Sequence, residues 1–318
     1  MGFESLLGNE RLKQNLSVSL NRGRLSHFYL ICGPRGSGKH TLAKLLSQGL
    51  MCTGETKPCG VCPACRKIAA RSHPDVITVE DPEKKTVPVD LVRQARESMF
   101  IRPNEGNRKI YLFPQELRTE GQNALLKILE EPPSYGVFIL LSENPEQLLT
   151  TIRSRGTELR LTTVEPALLR PWLAERFPQA DTDALNAAIR RSGGYPGQAM
   201  ELLSGAVVQM PEAEAFVRAF AAKDPMGLLQ VLVPMEKKSR DVAIPLFTAF
   251  KDALQEGLAC RSGAPALSSH AALLAKNRSS KDLHSAVEAL CKAIESAQGN
   301  GSVAASCGWL TQTLRLIH

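Results

Sequence analysis

The sequence predicts an α/β protein: a parallel sheet built around a phosphate-binding loop, then a small helical lid and an all-helical C-terminal part. Three observations carry that reading. In "LICGPRGSGKHT" (residues 30–41) an apolar run ends at Gly33, glycines recur at Gly36 and Gly38, and Lys39 follows. Short apolar runs then alternate with helix-period segments over residues 1–162, as in a parallel sheet covered on both faces. Beyond about residue 165 the strand signal gives way to Ala/Leu-rich helical spacing.

Each element follows from its local pattern. Residues 5–22 place apolar side chains at helical spacing. The run "HFYLIC" (27–32) is short and continuous, which suits a strand buried on both faces. The glycine loop comes next, and "HTLAKLLSQGLMC" (40–52) reads as a helix, so strand, loop and helix stand in the order a phosphate loop requires. Further strands are expected at "DVITVE" (75–80), "RKIYLFP" (108–114) and "YGVFILLSE" (135–143). Between them, "VDLVRQARESMF" (89–100) and "EGQNALLKILEEPP" (120–133) are helical in period, and Pro132-Pro133 stops the second. Residues 165–177 and 181–194 read as two short helices, the latter capped by Asp181 and ended at Gly193-Gly194. "GQAMELLSGA" (197–206) continues in helical style, and later breaks fall at "RSGAPALSSH" (261–270) and "AQGNGS" (297–302). Three domains are expected: 1–162, 163–207 and 208–318.

With 318 residues and 43% apolar content, the chain can build real cores. It contains no apolar run long enough to span a bilayer. The opening "MGFESLLGNERLKQNL" has early acidic residues and lacks the apolar core of a secretory signal, so a cytoplasmic protein is expected. A formal charge of +7 permits nucleic-acid contact without requiring it. Arg93, Arg96, Arg102 and Lys109 read as solvated faces.

Four of the eight cysteines, Cys52, Cys59, Cys62 and Cys65, fall within fourteen residues. Cys32, Cys260, Cys291 and Cys307 are scattered and read as small buried residues rather than a disulfide framework. The spacing C-x6-C-x2-C-x2-C suits tetrahedral zinc, which takes four thiolates at about 2.3 Å. Gly60 and Pro63 fit the tight turns between the ligands. With no open position or water-activating carboxylate evident, the expected site is closed and structural; iron–sulfur ligation is the minor alternative.

Several segments together resemble one family. "GRLSHFYLICGPRGSGKHTLA", the four-cysteine insert, and "NALLKILEEPP" followed by "TIRSR" are similar to bacterial clamp-loader subunits of the AAA+ class, the gamma/tau ATPases and their partner delta-prime. The similarity runs from residue 3 to about 205, whereas the last third matches only in being helical. The resemblance implies an AAA+ phosphate-loop domain with a zinc module, a lid and an oligomerisation collar. It also implies partners: gamma/tau and delta subunits and, through the assembled ring, a sliding clamp and primed DNA.

Against that family pattern, the ATPase elements of this chain are altered. His40 stands where Ser or Thr puts a hydroxyl on magnesium, and Thr41 is one residue late, rotated by roughly 100° on a helix. Pro114 and Gln115 occupy the Asp-Glu position that supports metal and attacking water, with Glu116 displaced along the chain. "LLSEN" (140–144) leaves Ser142 as a weaker sensor, and "GGYPGQAM" puts Gln198 at the place of the lid arginine. Phosphoryl transfer needs these groups together, so no turnover at the chain's own site is expected. Gly33, Gly36, Gly38, Lys39 and Thr41 still form a degenerate phosphate loop that leaves ATP binding open.

One catalytic element persists. Ser154-Arg155-Gly156 stands where the family has Ser-Arg-Cys, whose arginine reaches ATP held by a neighbouring subunit. Gly156 in place of Cys leaves that backbone less constrained. The implied role is a non-hydrolysing, delta-prime-like stator that supplies Arg155 in trans. The alternatives are an active gamma/tau-type ATPase, resting on His40 and Glu116, and a clamp-independent, zinc-bearing DNA-repair AAA+ protein.

Overall fold

A computed structural model describes residues 2–204, 211–264, 266, 268–299 and 301–317. The chain forms two compact units: residues 1–176 with 189–200, and residues 177–188 with 201–318.

In the first unit α1 (Glu10–Asn21) precedes β1 (Phe28–Cys32), and α2 (Lys39–Met51) leaves the glycine loop. α3 (Pro63–Ala69), β2 (Val76–Thr78), β3 (Thr86–Val87) and α4 (Val89–Ser98) follow. Then come β4 (Lys109–Phe113), β5 (Glu116–Leu117), α5 (Thr119–Glu130), β6 (Gly136–Ser142), α6 (Thr150–Arg153), β7 (Thr157–Arg160) and α7 (Pro166–Arg176). Five strands make one sheet in the order β2-β4-β6-β1-β7, every pair parallel. β3 and β5 pair separately.

All residues of β1 and β6 are buried, which explains their unbroken apolar sequences. Alternate side chains are shared between two cores. Tyr29 and Ile31 join Ile110, Ile139 and Leu141 beneath α1 and α2. Phe28, Leu30 and Cys32 join Tyr111, Phe113 and Phe138 on the face covered by α4 and α5. β7 had no apolar run to reveal it: of "TELR" only Leu159 is buried, because the strand lies at the sheet edge.

α8 (Thr182–Arg191) carries its expected cap, since the Asp181 carboxylate accepts the Ala184 N–H at 2.7 Å. α9 (Pro196–Leu203) follows the glycine pair, both members of which have left-handed φ, +57° and +84°. The second unit continues with α10 (Pro211–Ala221), α11 (Pro225–Met235), α12 (Arg240–Arg261), α13 (Ser269–Asn277), α14 (Ser280–Gln298) and α15 (Val303–Arg315). Its core is centred on Phe216, Phe220, Phe247 and Phe250. Ser279 and Asp282 form a reciprocal capping box that starts α14. Among the described residues no helix is long and apolar enough to cross a membrane.

Lys109 departs from expectation. It is buried rather than solvated, and its ammonium donates to the Ser98 carbonyl at 2.6 Å and the Ile101 carbonyl at 3.1 Å, satisfying the end of α4. Of the scattered cysteines, Cys32 and Cys307 are buried, while Cys260 and Cys291 are half-buried.

Candidate nucleotide, metal and arginine sites

The phosphate loop sits between the end of β1 and the first turn of α2. Gly36 and Gly38 have φ of +76° and +99°, so glycine is required at both turns. The Gly33 N–H donates to the Ser142 carbonyl at 3.1 Å and ties the loop to β6. Lys39 is only 7% exposed. Its ammonium donates to the Gly33 and Pro34 carbonyls at 2.7 and 3.1 Å, with the Glu143 carboxylate 3.5 Å away.

Residues 196–198, at the start of α9, lie directly on this loop. The Gly197 N–H donates to the Gly36 carbonyl at 2.8 Å, and the Gln198 amide donates to the Arg35 carbonyl at 2.9 Å. A methyl group on Gly36 would stand 2.5 Å from the Gln198 nitrogen, and one on Gly197 would stand 2.7 Å from the Gly36 Cα. Backbone therefore meets backbone, with no space between them. The segment is itself anchored by the Gly194 carbonyl, which accepts the Val164 N–H at 2.8 Å.

The groups expected at the metal and water positions are engaged elsewhere. His40 and Thr41 line a cavity on the flank of α2. Desolvation, and then the charges of Lys39 and Arg71, hold the His40 imidazolium below the usual histidine range. Gln115 exchanges hydrogen bonds with the segment 81–84, accepting the Asp81 N–H and donating to the Asp81 and Lys84 carbonyls. Glu116 accepts the Ser142 hydroxyl at 3.1 Å and the Glu143 N–H at 2.7 Å, so it secures the end of β6. Ser142 is buried in that contact.

The four clustered cysteines come together. Their sulfurs all lie within 4.8 Å of one another, and ideal tetrahedral thiolate coordination of zinc sets them about 3.8 Å apart. Gly60 has φ of +76° inside the first C-x2-C turn, and Cys62 caps α3 by accepting the Cys65 N–H. Backbone N–H groups of Gly54 and Cys59 point at the Cys52 sulfur, and that of Cys62 at the Cys59 sulfur, each at 3.3 Å. Burial raises the Cys62 thiol, but N–H donors from Cys65 and Thr53 and the neighbouring thiols outweigh it and bring it down to about 6. Burial pushes Cys52 and Cys65 upward, so those two need a cation to become thiolates. The donor set fits a metal ion, and Gln48 of α2 braces it by donating to the Cys65 carbonyl at 2.8 Å.

Arg155 follows α6 and is 32% exposed. One guanidinium nitrogen contacts the Glu130 carboxylate at 2.6 Å and another donates to the Thr151 carbonyl at 2.7 Å. The Ser154 hydroxyl donates to the same carbonyl at 3.3 Å. Gly156 proves more constrained than its sequence context implied. A methyl group there would stand 2.8 Å from Cε1 and 2.9 Å from Cδ1 of Phe28, a residue 1% exposed at the start of β1. Sequence reasoning passed over Glu130 as the partner of Arg155, Glu143 beside Lys39, and Gly197 on the loop. The first could have been sought in the acidic end of "NALLKILEEPP"; the other two have no local signal.

Over residues 8–165 the chain matches the family model described as DNA polymerase III, delta subunit. It is 35% identical over 209 residues to the DNA polymerase III subunit gamma/tau of Mycobacterium tuberculosis, an alignment covering 63% of this chain and 36% of that protein. To the DNA polymerase III subunit delta' of Pseudomonas aeruginosa it is 37% identical over 186 residues, 57% of each protein. The chain thus spans well under two thirds of both relatives. Among solved structures, a DNA polymerase III gamma subunit-related protein of Thermotoga maritima matches with a TM-score of 0.53 over 95% of this chain and 99% of that one. At 15% identity that likeness is one of fold. The chain belongs to the AAA+ clamp-loader subunits of DNA polymerase III, the family of delta' and gamma/tau.

Proposed function

We propose that this chain is the non-hydrolysing, delta'-type stator of a bacterial clamp loader. In this reading residues 1–162 form the nucleotide-fold domain, 163–207 the lid and 208–318 the oligomerisation collar. Its partners are gamma/tau and delta subunits and, through the ring, a sliding clamp and primed DNA. Zinc at Cys52, Cys59, Cys62 and Cys65 fixes the excursion between α2 and β2.

The observation that carries the reading is the state of the chain's own phosphate loop. Lys39 is folded onto loop carbonyls and the Gly197 backbone is hydrogen-bonded to Gly36, while His40, Pro114 and Gln115 supply neither an anionic metal ligand nor a base. On this reading Arg155 acts at a neighbouring subunit. Its pairing with Glu130 is half-exposed, and such pairs are worth about 0–1 kcal/mol, so exchanging a carboxylate for phosphate oxygens costs little. An arginine that stabilises charge on a transferring phosphoryl group contributes on the order of 10³–10⁵ in rate.

Two measurements test the reading. The purified chain should show no magnesium-dependent phosphate release of its own. In a ring reconstituted with gamma/tau and delta, Arg155→Ala should leave assembly intact and lower ATP turnover by at least about tenfold. Turnover by the isolated chain that Lys39→Ala abolishes would establish the gamma/tau-type reading, which the 35% identity to gamma/tau keeps in play.

A further inference from the structure

Flanking α2 is a cavity of about 300 Å³ that borders the degenerate phosphate loop at His40 and Thr41 and the altered metal position at Pro114. Its lining includes His40 and Lys44 of α2, Arg71 and His73 from the segment after α3, Thr78 of β2, and Glu80. Lys39 is not part of it. Basic groups outnumber acidic ones, and among the described residues the side chains of Lys44 and Arg71 have neither a carboxylate partner nor a hydrogen bond.

Two further features point to a ligand. His73 is 6% exposed, and its Nδ1 accepts the Asp75 N–H at 3.1 Å. The proton of the neutral ring therefore sits on Nε2, and that donor has no acceptor among the described residues. Arg71, for its part, ends α3 in a left-handed conformation, φ +54°. Its N–H bonds the Ile68 carbonyl at 3.1 Å and the Ser72 N–H bonds the Lys67 carbonyl at 2.9 Å, the helix ending in which glycine is the unstrained choice. Glycine is the unstrained residue at 71, and the arginine that stands there lines the cavity.

We propose that this cavity binds a small phosphomonoester, held by Lys44, Arg71 and the His73 Nε2–H, at a site that adjoins the phosphate loop but does not include Lys39. The guanidinium and ammonium supply charge-assisted donors to the phosphate, and Glu80 accepts from a ligand hydroxyl. The metal-bound cysteine module would then carry Arg71 to the cavity at the end of its helix.

Calorimetric titration of the metal-loaded chain with ribose 5-phosphate, and separately with inorganic phosphate, tests this. Saturable one-to-one binding is expected, and Arg71→Gly or Lys44→Ala should weaken it by about tenfold or more. Arg71→Gly relieves the backbone at that φ, so its Tm should not fall and lost binding cannot be ascribed to misfolding. Lys39→Ala should leave the affinity unchanged. Tighter binding of ribose 5-phosphate than of inorganic phosphate supports the Glu80 contact, whereas equal binding assigns a simple oxyanion to the same donors. Absence of saturable binding by both probes, indifference to Arg71→Gly, or loss in Lys39→Ala would each overturn the proposal.

Discussion

Closure of the phosphate loop by Gly197 can be tested by forcing the two apart. In Gly197→Ala the new methyl carbon would stand 2.7 Å from the Gly36 Cα and 2.9 Å from its carbonyl oxygen. Both are backbone atoms, so the first turn of α9 must lift. Two hydrogen bonds are lost, Gly197 to Gly36 and Gln198 to Arg35, together worth about 2 kcal/mol. If phosphates reach the loop amides only when this turn of α9 lifts, about 2 kcal/mol corresponds to roughly thirtyfold in affinity. Overpacking of this kind costs about 1–3 kcal/mol in stability, or about 2–12 °C in Tm for a unit of this size. The assay is titration with a fluorescent ATP analogue alongside thermal unfolding. The variant should melt lower yet bind about thirtyfold more tightly than the parent, and Lys39→Ala added to it should remove the gain. Equal affinities, or a variant as stable as the parent, would refute the closure argument.

The remaining predictions concern the arginine segment, a buried acid and the metal. Gly156→Ala should destabilise the chain by about 1–3 kcal/mol in urea unfolding, because the methyl meets the Phe28 ring and that ring is packed in the sheet. The Asp75 carboxylate is desolvated, which favours its neutral form, but N–H donors from Asn104, Glu105 and Gly106 at 2.6–2.9 Å outweigh burial and hold it below the usual range. A depressed folded-state value means stability that is complete above about pH 4 and is lost as pH falls through that lower value; Asp75→Asn should remove this acid limb and cost about 1.5–3 kcal/mol at pH 7. Elemental analysis of protein prepared without added metal should find about one zinc per chain, and chelation should lower Tm. A folded, metal-free sample with unchanged Tm would remove the metal assignment.

What was legible in the sequence follows from how local each signal is. β1 and β6 announced themselves because a strand buried on both faces must be apolar throughout, whereas β7 keeps one buried leucine in four residues and β3 and β5 are two residues each. The cysteine cluster was legible because its ligands span fourteen residues and turns alone can gather them. Lys109 reads as a surface residue from its charge, and only the fold places the Ser98 and Ile101 carbonyls within its reach. The Gly36–Gly197 contact joins residues some 160 positions apart through backbone atoms, so no side-chain pattern encodes it. Gly156 misled in the opposite direction. A glycine after an arginine suggests slack until Phe28 is seen beneath it.

On the proposed reading an inert site and an active arginine coexist in one domain, and these contacts bear on how. β1 connects them: its first residue, Phe28, supports Gly156 beside Arg155, and its last, Cys32, leads into the loop at Gly33. Here Gly197 and Gln198 donate to the Gly36 and Arg35 carbonyls and Glu143 lies 3.5 Å from the Lys39 ammonium, so the loop is braced from within the chain. On the proposed reading, that makes the position of Arg155 independent of ATP at the chain's own site. Turnover by a reconstituted ring should then respond to Arg155→Ala and Gly156→Ala but remain unchanged by Lys39→Ala. A comparable loss with Lys39→Ala would show that the loop still senses nucleotide and that the arginine is not held passively.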